Sequence, residues 1–164
     1  MRKKIIGGQV AGEEPSEITP AKWFDLDAIA AVEVTSEDPG FPIENALGSH
    51  VESKAERGWR AAAPGPQTIR LHFDAPHRIR RILVRFIDRS QERGQEFVLR
   101  YSADGDKAAR DVVRQQWTFT PDISVEDLED YSVDLSGVSI LELIIDPDRG
   151  AGKAFAVLSE LRVG

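Results

Sequence analysis

Cysteine is absent from this chain of 164 residues, and it holds only one methionine and three histidines. Without cysteine there are no disulfides, no thiolate metal site and no cysteine nucleophile. This fits a reducing compartment. Long apolar runs are missing too. Met1-Arg2-Lys3-Lys4 resembles a signal-peptide n-region, but the apolar run that follows, Ile5-Ile6, stops at Gly7-Gly8, too short for an h-region. No segment approaches the ~20 apolar residues of a membrane span. The expected location is cytoplasmic. Positive charge is in deficit, 21 Lys and Arg against 28 Asp and Glu, for a formal net charge of -7. That balance argues against broad nucleic-acid binding and against adhesion to an anionic membrane.

Catalytic signatures are scarce. His50, His72 and His77 accompany no Gly-x-Ser-x-Gly elbow, so a nucleophilic triad has no anchor. There is no Walker loop, and Gly150-Ala151-Gly152 departs from the dinucleotide pattern. His72 and His77 could form a metal pair, but a third ligand at meaningful spacing is lacking. Asp104-Gly105-Asp106 and Asp146-Pro147-Asp148 suit turns for backbone reasons and match no calcium-loop pattern. The expectation is a binding module, not an enzyme.

What the chain does have is period-two alternation. In Thr68 to Phe73, Ile69, Leu71 and Phe73 point one way, Arg70 and His72 the other. A tight turn is expected at Ala75-Pro76, followed by a long strand, Ile79 to Ile87, that is apolar on both faces. Further strands are expected over Ala28 to Ser36, from Trp59, and over Gln95 to Ser102, Asp111 to Phe119, Tyr131 to Leu135, Ile140 to Asp146 and Lys153 to Val163. The last has Phe155, Val157 and Leu161 as its expected core. Pro42 to Leu47 reads as a helical turn stopped by Gly48. Residues 1–27 read as an arm ending in a strap, Ala21 to Asp27, whose Trp23, Phe24 and Leu26 dock on the body. About eight strands spaced by turns and almost no helical periodicity indicate an all-β sandwich or barrel over residues 28–164.

The ordered pieces resemble discoidin domains, also called coagulation-factor type C domains, of the galactose-binding-like superfamily. They are Val34-Thr35-Ser36, Ile43-Glu44-Asn45-Ala46-Leu47-Gly48, Trp59-Arg60-Ala61, Gln67-Thr68-Ile69-Arg70-Leu71, and Pro76 with Ile79 and Ile82. Phe97 to Gly105, ending in Ser-x-Asp-Gly, and the closing Leu158 to Val163 complete the set. The resemblance covers about residues 28 to 164 and implies a β-sandwich jelly roll. It also implies a mostly non-catalytic module that binds glycans, phospholipid headgroups or proteins through loops at one end.

Sugar-binding members place polar residues after the first strand, beside the Trp, and in the loop after the long strand. By position these correspond to Glu37, Arg60 and Arg89. Arg60 stands where galactose binders often have His. His50 joins this expected loop set, and so does Arg93, whose guanidinium fork, like that of Arg89, suits vicinal hydroxyls or an anionic group. Trp117 is the aromatic best placed by sequence to serve as a sugar platform, while Trp59 is expected in the core. Many members also hold a structural calcium through backbone oxygens, an Asp and the Glu of the closing strand. Glu160 matches that Glu and Asn45 a backbone donor, but Gly48 stands where the Asp is usual. The expectation is therefore no cofactor, with Glu160 and Asn45 as parts of a degenerate calcium site. The expected partner is a glycan; the alternative is a protein partner met by an intracellular interaction module.

Overall fold

The computed structural model describes residues 23–47 and 58–164. Two strands of 21 residues, β3 (Gln67–Ile87) and β6 (Glu126–Asp146), run antiparallel along their length and frame the molecule. Around them lie a helical turn α1 (Leu26–Ile29), β1 (Ala30–Val34), a second turn α2 (Glu44–Leu47), and β2 (Trp59–Pro64). Then follow β4 (Arg93–Ala103), β5 (Arg110–Phe119), β7 (Phe155–Leu158) and β8 (Glu160–Val163). The main sheet runs β1-β3-β6-β4-β5, with β8 on the second half of β3; β2 and β7 pair separately. This is the all-β jelly-roll sandwich, of eight strands, expected from the sequence.

The alternation in β3 does what its pattern dictates. Ile69 and Leu71 are buried, and outward Arg70 pairs with Glu142 of β6 at 2.6 Å and Glu33 of β1 at 3.1 Å. The tight turn expected at Ala75-Pro76 does not form. The strand carries on through exposed Asp74, Ala75 and Pro76, and its pairing steps from His72↔Ile140 to His77↔Val138. Extra residues on one strand make a bulge that bends the ribbon, and proline fits there because no ladder N–H is required of it. A further irregularity between Ile79 and Arg81 shifts the parity, so Ile79 joins Ile82, Val84 and Phe86 in the core. Likewise the two strands expected on either side of Ser136-Gly137 are one, with Gly137 at φ 64.

The last strand is also not what the sequence suggested. It breaks at Ser159, whose N–H donates to the Arg85 carbonyl at 2.8 Å, into β7 and β8. In β7 the buried residues are Ala156 and Leu158, so Phe155 and Val157 face outward and only Leu161 of the expected core trio is in the core. Trp59 is fully buried, as expected, and its indole N–H donates to the Ser36 carbonyl at 3.2 Å. Gly58, at φ 54, lets the chain enter beside β7; a Cβ there would run into the Leu158 carbonyl.

The strap docks at the far end of β3's second half. The Phe24 N–H donates to the Val163 carbonyl at 2.7 Å, and Leu26 is buried. The Arg81 guanidinium lies 4.7 Å from the centre of the Trp23 ring. Among the described residues no helix is long and apolar enough to cross a membrane.

Candidate functional site

At the other end of that half-strand is a cleft of about 210 Å³, walled by Arg60, the Asp88–Gln91 loop, Lys153, Ala154, Phe155 and Val157. Strand alternation supplies three of these. With Trp59 inward, Arg60 must point outward; with Ala156 and Leu158 inward, Phe155 and Val157 must do so too. β2 and β7 pair Arg60 with Val157, and the Arg60 guanidinium lies over the Phe155 ring, 5.0 Å from its centre.

Two loops close the cleft, and each is held by a carboxylate. Asp88 accepts from the Ser90 N–H at 2.8 Å and the Ser90 hydroxyl at 2.6 Å, and from Arg93 Nε at 2.7 Å. Burial pushes the Asp88 carboxyl up, but the Ser90 and Arg93 hydrogen bonds outweigh it and leave its pKa below the ordinary value. Asp148 accepts from the backbone N–H groups of Gly152 at 3.0 Å and of Lys153 and Ala154 at 2.7 Å each. Those donors outweigh the upward push of its partial burial and hold the Asp148 pKa low. The Asp148 turn thus fixes Lys153 and Phe155 at the rim.

Arg93 joins the two loops from below. Its side chain is 3% exposed and, besides Asp88, its Nη1 donates to the Pro147 carbonyl at 2.6 Å and Gln95 Oε1 at 3.0 Å. Its guanidinium lies 4.5 Å from the centre of the Phe119 ring. So Arg93 supports the cleft but presents nothing to a ligand. Arg89, exposed in the loop between Asp88 and Ser90, is not one of the residues lining the cleft.

The other expected site residues scatter. Glu37 Oε1 accepts from the Ile43 N–H at 2.7 Å, which shapes a loop whose Asp38 and Phe41 hydrogen-bond to the Arg60 backbone. Trp117 lies on the inner face of β5, opposite Gln95, and packs on the core away from the cleft. The aromatic at the cleft is Phe155, hidden from sequence reasoning by the parity of β7. The break at Ser159, which puts Phe155 outside the core, leaves no sign in the sequence, although the Asp-Pro-Asp-Arg-Gly turn before it marks a loop end. His50 and Gly48 lie outside the described residues.

Glu160 is buried and ion-paired with Arg162 and, at 3.8 Å, with Arg85. Asn45 donates to the Gly58 carbonyl at 3.1 Å. The Arg162 guanidinium already takes up the carboxylate that a hard cation would use, while Arg85 pairs more closely with Glu126 at 2.8 Å, so Glu160 and Asn45 as placed here do not fit a calcium site. No group of three or more His, Asp or Glu among the described residues could hold a metal. His72 instead bonds Glu33 at 2.6 Å, and His77 packs between the Phe24 and Phe73 rings.

No protein-family model and no curated protein sequence matches this chain. Solved structures do. A pectin-binding carbohydrate-binding module aligns with TM-score 0.59 at 17% identity, over 83% of this chain and 90% of that one. The family 32 module of Clostridium perfringens NanJ, solved with galactose, aligns with TM-score 0.56 at 16% identity, over 86% and 96%. The family 32 module of AlyQ, solved with 4,5-unsaturated mannuronic acid, aligns with TM-score 0.56 at 14% identity, over 88% and 98%. The likeness shows that the chain shares the fold of these modules.

Proposed function

We propose that this chain is a non-catalytic carbohydrate-binding module and that the sugar lies in the cleft between Arg60, the Asp88–Gln91 loop, Lys153 and Phe155. The observation that carries this reading is the meeting of a guanidinium fork and a half-exposed aromatic ring in one concave site. A pyranose has one apolar face and a rim of hydroxyls. A ring such as Phe155 suits the face, and Arg60, Ser90, Gln91 and Lys153 supply polar groups for the rim. The sugars bound by similarly folded modules agree with it.

The charged sheet faces favour the alternative, a protein-docking surface, less. Their arginines are spent within the molecule: Arg78 on Asp134, Arg81 on Asp130, Arg114 on Glu96. A glycan array, followed by calorimetry on the best sugar, tests the proposal. Phe155→Ala and Arg60→Ala should each weaken binding about tenfold or more, since a stacked ring and a charged hydrogen bond are each worth roughly 1–3 kcal/mol. A folded protein that binds no glycan, or two variants that bind as the parent does, would remove the reading.

A further inference from the structure

Among the described residues, the two cations that line the cleft lack the carboxylate partners that most sheet arginines have. On the sheet faces arginines are matched with carboxylates, as in Arg70–Glu142 and Arg81–Asp130. In the cleft, Arg60 and Lys153 are both exposed, and neither has a carboxylate partner among the described residues. Arg60 rests on the Phe155 ring instead, a weak arrangement for an exposed cation. Among the described residues the one carboxylate in the wall, Asp88, is turned to Arg93 and Ser90, so its charge is already matched. A chain of net charge -7 therefore lines one concave site with two cations that have no carboxylate partner among the described residues. Concave sites focus such a field, and a hydrated ammonium such as Lys153 gains more from an anion than from a hydroxyl.

We infer that the cleft selects a sugar carrying an anionic group, a uronate carboxylate or a sulfate ester, held between Arg60 and Lys153 with the pyranose against Phe155. This rests on the carbohydrate reading above and adds the ligand's class. The shared chemistry is a planar or tetrahedral oxyanion on the sugar rim. Arg60 leaves the ring to meet it, which frees the face of Phe155 for the sugar.

Calorimetry on the full chain tests this with three probes: an oligogalacturonate, a sulfated galacto-oligosaccharide, and a neutral galacto-oligosaccharide of the same length. At least one anionic probe should bind about tenfold or more tightly than the neutral one, and whichever does identifies the oxyanion. The preference should shrink as salt rises from about 50 mM to about 500 mM. Arg60→Gln and Lys153→Gln should each reduce it. Neutral sugar bound as tightly as both anionic probes, or a preference unmoved by salt and by both variants, overturns the inference and leaves the carbohydrate reading standing. Binding of none of the three probes overturns the inference, and if the array shows no glycan bound either, the carbohydrate reading falls with it.

Discussion

Asp127 on β6 is fully buried beside the Glu129 side chain, and no N–H or hydroxyl donor reaches its carboxylate oxygens. Burial pushes its pKa up to about 8, and the neighbouring Glu129 adds to the rise. In an unfolded chain an Asp titrates near ~3.9. Between those values the folded protein keeps a proton that the unfolded chain has lost, so stability must fall as pH rises from about 4 to about 8. At ~1.4 kcal/mol per unit, roughly three units at pH 7 amount to on the order of 4 kcal/mol, an upper figure because the titration is shared with Glu129. Asp127→Asn replaces the protonated acid with a neutral group of the same shape. Urea unfolding of parent and variant across this range should show nearly equal stability near pH 4 and a growing advantage for the variant above it, reaching several kcal/mol near pH 8. Parallel curves, or a variant less stable throughout, would refute the reasoning.

Two further outcomes follow from the supports of the cleft and the closing strand. Arg93→Met should cost ~3–5 kcal/mol of unfolding free energy, because it strands buried Asp88 and frees the Pro147 loop; stability equal to the parent's would contradict its placement. Millimolar calcium or a chelator should shift the melting temperature by no more than about a degree, since Arg162 already pairs with Glu160. A shift of several degrees would mean that a calcium site forms after all.

The sheet was legible because alternation is written locally: Ile69, Leu71, Val84, Phe86 and Leu99 sit where their spacing put them. What misled was proline and glycine read as chain reversals. Pro76 and Gly137 lie within continuous strands, where two long partners bend together and spend them on bulges. The site was half legible. Arg60 follows from its position beside a buried Trp, but Arg89 and Arg93 are close neighbours in sequence with opposite fates, decided by which side chain the turn at Asp88 directs inward. The choice between Phe155 and Trp117 depended on the parity of two strands. Parity past a break is set by tertiary pairing and not by the local pattern.

The most direct test of the cleft as a sugar site is a heteronuclear NMR titration of the full chain with oligogalacturonate. Saturable shifts should gather at Arg60, Ser90, Gln91, Lys153 and Phe155 and leave the outer face of β5 at Arg114 and Gln116 unmoved. Shifts centred on β5, or none while the probe exceeds millimolar concentration, would contradict the account.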